Sequence, residues 1–404
     1  MAFNTSISGL QAAQQDMGVI SNNIANVGTT GFKRSDSLFA ELYSASLVGA
    51  GPTPGSGVTL ERIRTDFGQG NFEFTSSNLD LAIDGNGMFV LQNDAETLYT
   101  RAGAFRLDSD GFVVSEGGAN LRGYPADANG GIITAATTNL QIANALLAQN
   151  QTTEIDFNGN LDSRVEAPAA DLEFDAANPE TYNFVSATTI YDSAGVAHNV
   201  TMYFAKDAAE ANTYNVRVAI DDAVQAQTIA LDFDTTGVLD ADAETLLTLN
   251  YEPENADAQA IVIDFADVTG FGATSAASRV TQDGYAAGQL AGFEFDRAGI
   301  AYATYTNGET RAVGQVALAT FTNPGGLEPA GKTNFSETNV SGVASVGTPA
   351  GEGRGFIRPS TLESANVDLT VELLALIEAQ RNFQSNAQAI QNENDASQAI
   401  LQLR

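Results

Sequence analysis

The amino-acid sequence predicts an α+β, mainly β protein: paired N- and C-terminal helices of coiled-coil type, with two nested antiparallel β domains between them. Three observations predict it. Both chain ends carry sparse apolar stripes at helical spacing, the interior carries alternating apolar runs separated by turn residues, and the composition changes twice inside the β region.

The first thirty-two residues contain one charged side chain, Asp16. Phe3, Ile7, Leu10, Met17, Ile20 and Ile24 recur at helical spacing and share one face. Ser6, Ser8 and Gly9 weaken intrinsic helicity, so a helix this thin needs a partner. The other chain end supplies one. Leu369, Leu373, Leu376, Gln380, Phe383, Ala387, Ile390, Asn394, Ser397 and Leu401 alternate in steps of four and three, a heptad seam. Polar residues interrupt it at Gln380, Asn394 and Ser397, which lowers stability and fixes register and partner. Asp368 suits the first turn of this helix. The other faces carry little charge, as expected of faces also meant for burial. These stripe residues are the candidate polymerisation interface.

Between the ends, the stretch from Leu79 to Leu91 predicts a hairpin around Asp84-Gly85-Asn86-Gly87. Phe105 to Val114 predicts another, with its turn at Asp110-Gly111. Alternating runs predict strands at Val200–Phe204, Tyr214–Ile220, Thr228–Phe233 and Ala260–Phe265, and an apolar run predicts one over Gln315 to Phe321. Compositional seams near Ala145 to Asn150 and Arg279 to Gly284 bound an acidic segment, read as a domain inserted into another. The expected layout is 1–30 with 360–404 as helical polymerisation domain, and 31–70 with 358–363 as connecting segment. An inner β domain follows from 71–144 and 285–357, with 145–284 as inserted outer β domain. Gly49 to Gly57 and Gly347 to Gly355 read as flexible joints.

Composition excludes much chemistry. The 404 residues hold 18 Lys and Arg against 50 Asp and Glu, a net charge of −32, which repels nucleic acid and anionic membranes. With no Cys there is no disulfide or thiolate chemistry, and the one His, His198, reads as a strand-edge surface residue. The start of the chain lacks a basic n-region, and no run approaches the roughly 18 apolar residues that a membrane span needs. The expectation is therefore no catalytic, cofactor or metal site, no membrane insertion and no cleavable signal. Asp108-Ser-Asp110-Gly111 lacks the further ligands of a calcium loop. Gly326 to Thr333 satisfies the pattern of a phosphate-binding loop, G-x-x-x-x-G-K-[ST], but no helix pattern follows Thr333 and Pro329 removes an N–H from the cradle.

Two stretches carry a family resemblance. Ser21-Asn-Asn-Ile-Ala-Asn-Val-Gly-Thr-Thr-Gly-Phe-Lys-Arg34 resembles the N-terminal signature of the flagellar rod and hook axial proteins. Glu363-Ser-Ala-Asn-Val-Asp368, continuing to Ala379-Gln-Arg-Asn-Phe-Gln-Ser-Asn-Ala-Gln-Ala-Ile390, resembles their C-terminal signature. Its positions here are Asn22, Asn23, Ala25, Asn26, Thr30, Gly31, Phe32 and Lys33, then Asn366, Val367, Asp368, Gln380, Arg381, Gln384, Asn386 and Ala387. The segment Tyr99 to Asp108, with Gly123-Tyr124-Pro125, resembles the next domain of the family. Rod members are shorter, so the insertion points to the hook type, with the distal rod type as the alternative.

The resemblance implies a homopolymer whose terminal helices line a tube, extracellular and exported unfolded through the flagellar type III apparatus. The tube would be a universal joint carrying torque from rod to filament. Its neighbours would be the distal rod protein, the hook cap and the hook-filament junction protein.

Titration of Mg·ATP into the monomer is expected to give no heat. Micromolar binding that Lys332→Ala abolishes would overturn the non-enzymatic reading.

Overall fold

The structure is a computed structural model that describes residues 2–42, 55, 57–94, 96–127, 130–142, 146–169, 172–210 and 212–402, with backbone alone at 2 and 399–402. The chain divides into two compact units. The first comprises Met1–Asn144, Gly292–Ala303 and Thr310–Arg404, and the second Ala145–Ala291 and Thr304–Glu309.

In the first unit, helix α1 (Ala2–Ala25) and helix α2 (Leu369–Gln402) pack on each other. Asp368 caps α2, its carboxylate accepting from Thr370 N at 2.8 Å and Val371 N at 3.3 Å. The segment read as a connector contains an antiparallel ribbon, Ser35–Glu41 against Val58–Thr65, which lies along α1. Of the Gly49–Gly57 joint, 49–54 and 56 lie outside the described residues.

A sheet follows in the order Thr310–Val316, Asn120–Pro125, Met88–Asn93, Glu96–Thr100, Asn334–Ser336, Glu328–Gly331. The hairpin expected over 79–91 does not form. Leu81–Asp84 pairs with Phe356–Pro359, while Met88–Asn93 pairs with Glu96–Thr100, Asn120–Pro125 and Leu318–Thr320. Those partners occupy both edges of Met88–Asn93, and the turn at Asp84 only redirects the chain. The hairpin over 105–114 does form, with Gly111 at φ 80° and Asp108 accepting from Asp110 N and Phe112 N. The apolar run 315–321 is two strands broken at Ala317, not one. Glu328–Gly331 and Asn334–Ser336 are joined by a tight turn in which Gly331, Lys332 and Thr333 all have positive φ, so strand rather than helix follows Thr333.

The second unit is a β sandwich. A meander of Phe184–Tyr191, Ala197–Lys206, Thr213–Ile220 and Ala223–Asp232 packs on a sheet of Leu246–Tyr251, Gln259–Asp264, Glu154–Asn160, Val268–Thr269 and Ala276–Gln282. Phe157, Phe204 and Phe265 fill the centre of the shared core.

His198 is not at a strand edge. It stands on the second strand of the meander, between Phe184–Tyr191 and Thr213–Ile220, because strand order is invisible in a single sequence. Its Nδ1 lies 2.6 Å from Asp221 Oδ2, its Nε2 3.4 Å from Asp192 Oδ2, and Tyr251 Oη approaches Nδ1 at 3.1 Å. Burial alone would lower the His198 pKa, but the two carboxylates outweigh it and raise the imidazole above its ordinary value. The bond to His198 holds Asp221 below the usual carboxylate range.

A raised histidine stabilises the fold below about pH 6.5, and that stability is lost as pH rises through the folded value. The lowered carboxylates stabilise it above about pH 4, and that part is lost as pH falls through theirs. The second unit is therefore expected to be most stable at mildly acid pH. An NMR titration should place the His198 midpoint above about 6.5, the free-imidazole value. A midpoint at or below that value would refute the assignment.

Candidate functional site

Two contacts fix how the terminal helices pair. A Cβ placed on Gly9 would lie 2.8 Å from Asn386 Oδ1, and Asn23 Nδ2 donates to Glu372 Oε2 at 3.2 Å. The contacts are 14 residues apart on each helix, 9 to 23 and 372 to 386, in opposite senses. The helices are therefore antiparallel and in step over roughly 21 Å at 1.5 Å per residue.

On α1, Ala13, Ile20 and Asn23 are buried, Ile7, Leu10, Met17 and Ile24 half-buried, and Phe3 exposed. On α2 the inward face runs Glu372, Leu376, Ala379, Phe383, Asn386, Ile390, again in steps of four and three. It shares Leu376, Phe383 and Ile390 with the seam read from the sequence, and Ala387 sits half-buried beside it. At alternate steps the seam lies one residue earlier than expected, so Leu373, Gln380 and Asn394 are exposed; Leu369 and Ser397, on the unshifted steps but beyond the two ends of the inward face, are exposed as well. The side chain of Leu401 lies outside the described residues. The shift has a polar cause. Glu372 turns inward because Arg34 Nε meets its Oε1 at 2.7 Å and Asn23 meets the other oxygen.

The two signatures meet at the root of the helix pair. Asn26 closes the turn after α1, its Nδ2 donating to Asn22 O and its Oδ1 accepting from Thr29 Oγ1. Gly31 has φ 68°, its N–H donates to Glu363 O, and a Cβ there would lie 2.3 Å from Ala102 N, so only glycine fits. Asn23 brackets the start of the ribbon, donating to Ser35 O and accepting from Ser35 N. Asn366 accepts from Arg34 N at 2.7 Å and donates to Asp66 O and Gly68 O. Thr30, Phe32 and Val367 are half-buried, while Asn22, Ala25, Arg381 and Gln384 are exposed.

At the centre the Glu363 carboxylate is fully buried. Lys33 Nζ lies 2.6 Å from Oε1, Arg101 Nη1 3.2 Å from Oε2, and Gly70 N donates to Oε1 at 2.8 Å. Lys33 also donates to Gly68 O, and Arg101 to Gly85 O. Burial lowers the pKa of both cations, opposed by Glu363. The residues not singled out from the sequence are thus Glu363, Glu372, Arg34 and Arg101. The available signal was an acid, Glu363, opening the C-terminal signature, the basic pair Lys33 and Arg34 closing the N-terminal one, and Glu372 among the apolar first turns of α2.

One surface is left over. Leu369, Val371, Leu373, Leu374 and Ile377 are all exposed, Leu374 by 64%. With the inward face they make the first turns of α2 apolar around most of their circumference. Among the described residues no cluster of His, Cys, Asp or Glu could hold a metal ion, and no helix is long and apolar enough to cross a membrane.

Four family models match the chain: flagella basal body rod protein over 3–33, the flagellar hook protein FlgE/F/G D1 domain over 82–161, the flagellar basal body protein FlaE D2 domain over 160–285, and the flagellar basal body rod FlgEFG protein C-terminal region over 358–403. The flagellar hook protein FlgE of Escherichia coli is 34% identical over 414 positions, covering 100% of both chains. That of Treponema pallidum is 32% identical, covering 98% of each. The crystal structure of a Helicobacter pylori flagellar hook protein, FlgE2, superposes with a TM-score of 0.56 at 15% identity, covering 72% of this chain and all of that one, a likeness of fold.

Glu363→Gln strands two buried cations and is expected to cost the first unit about 3–5 kcal/mol. Lys33→Met should cost less, because Arg101 and Gly70 still hold the carboxylate. Urea unfolding of the two variants measures the difference, and the reverse order would refute the role given to Glu363.

Proposed function

The chain belongs to the flagellar hook protein family and is a structural subunit of the flagellar hook; from that premise we propose that it assembles through its terminal helices. The observation that carries the proposal is the exposed belt Leu369, Val371, Leu373, Leu374 and Ile377. A helix apolar on nearly all sides is stable in water only when buried, and α1 covers one face of it. Helices of neighbouring subunits would cover the rest. The polymer acts as a universal joint between rod and filament, and its subunit works by surface contact rather than catalysis. Export through the type III apparatus without a cleavable signal, capped growth, and junctions with the distal rod and hook-filament proteins belong to the same proposal. So does the reading of 145–284 as a separable outer domain, which the compact second unit supports.

Leu374→Asp and Ile377→Asp are expected to abolish tube formation, seen by electron microscopy, while leaving the monomer's melting curve unchanged, because both positions are solvent-exposed. Glu378→Gln should assemble as the parent does. Normal tubes from the two aspartate variants would remove the helix mechanism. Replacing 145–284 by a short Gly/Ser linker should still permit tubes, and complete failure to polymerise would show that the outer domain is not separable.

A further inference from the structure

The ribbon beside α1 lacks cover. A lone two-stranded ribbon is marginal in water and needs packing on a face. Here α1 supplies some: Val58 N donates to Ser8 Oγ, and Asn23 holds Ser35. Farther along, the second strand loses it. Glu61, Arg62, Ile63 and Arg64 are consecutive and all exposed, so both faces of the strand meet solvent, and Ile63 is 53% exposed.

The charge of this strand is also unlike the rest of the chain. The molecule carries 18 cations among 50 acids. Several of those cations are bound within the chain: Lys33 and Arg101 by Glu363, Arg34 by Glu372, Arg164 by Asp162, Arg358 by Asp84. Arg62 forms no ion pair among the described residues, and Arg64 reaches Asp36 at 3.4 Å across an exposed surface. Two residues apart on a strand, both arginines lie on one face. Opposite them on the neighbouring strand are Leu38 and Asp36.

We propose that Arg62 and Arg64 form a cationic docking surface for the acidic surface of a second copy of this chain. This rests on the assembly reading given above and adds a polar contact to its apolar one. Two copies of charge −32 repel each other, and a paired arginine strip is where an acidic neighbour gains attraction. The strand that carries the strip touches α1 at Val58, so the strip lies beside the proposed helix interface. Planar guanidinium groups engage carboxylates by two parallel hydrogen bonds, which sets orientation as well as strength.

The test uses the full chain. Arg62→Glu with Arg64→Glu should keep the parent's melting curve, since both side chains are exposed, and should raise the critical concentration for tube formation at least tenfold. The parent's advantage over Arg62→Glu with Arg64→Glu should shrink in 0.5 M NaCl, because the screening length falls well below the roughly 8 Å of physiological salt. Arg62→Gln with Arg64→Gln should fall between the two at low salt. Arg62→Lys with Arg64→Lys keeps the charge and permits carbodiimide coupling. Its tubes should give a ladder of covalent multimers, with peptides joining position 62 or 64 to an Asp or Glu of another copy. Charge-reversed subunits that assemble at the parent's critical concentration overturn the proposal, as do tubes whose positions 62 and 64 couple only within their own chain. A parent that forms no tubes, with or without salt, overturns the assembly reading itself and this inference with it.

Discussion

Everything in the first unit depends on the burial of one carboxylate. Glu363 has no contact with water, and a carboxylate isolated in a protein interior is untenable unless it is paired and hydrogen-bonded. Its partners come from opposite parts of the chain. Lys33 follows α1, Arg101 ends a strand of the body, and Glu363 itself precedes α2. Satisfying the charge therefore brings the exit of the first helix and the entrance of the last to one point on the sheet. Two helices that leave one point side by side, one ending there and the other beginning, are antiparallel neighbours, which is the geometry seen. A buried triad of this kind is weak evidence for net stability, since apolar replacements do as well or better. Its value here is placement: it ties Lys33 after α1 and Glu363 before α2 to Arg101 on the body.

The helix pair that grows from this root is thin by design of its sequence. Its inward face includes Glu372, Ala379 and Asn386 on one side and Gly9, Ala13 and Asn23 on the other. Each ordered residue costs about 1–2 kcal/mol of backbone entropy, against about 1.5–3 kcal/mol for each fully buried large apolar side chain. A seam of small and polar residues returns little of that cost, while Leu374 and its neighbours face solvent. The apolar surface is thus distributed outward. The pairing within one chain fixes position and register and leaves much of the apolar surface of α2 exposed, which the proposed assembly would bury.

The sequence showed some of this and hid the rest, for identifiable reasons. Helices at both ends were legible because a period of three and four survives even sparse apolar content. The strands at 105–114, 200–204 and 214–220 were legible because alternation and Asp-Gly turns are local signals. The hairpin at 79–91 failed because local turn chemistry cannot report that Phe356–Pro359, far along the chain, claims Leu81–Asp84. The seam on α2 was misplaced at alternate steps because periodicity ranks residues by hydrophobicity. Glu372 is inward for its partners Asn23 and Arg34, not for its side chain's own preference. The same blindness to distant partners set His198 at an edge when Asp192, Asp221 and Tyr251 enclose it.

Charge placement joins these features into one constraint. A subunit of net charge −32 can polymerise only where its acids are absent or answered. Helix α1 holds a single charged residue, Asp16, and the exposed first turns of α2 are apolar. The strand beside them offers Arg62 and Arg64 without a strong partner of its own. Repulsion between exposed charges fades beyond about 8–10 Å in physiological salt, so acids on the two β units need not prevent contact at the helices. Under the proposed assembly, most of the acids lie away from the helix turns and the strand that neighbouring subunits would cover. On that proposal, solubility before assembly and adhesion during it fall to different parts of a single chain.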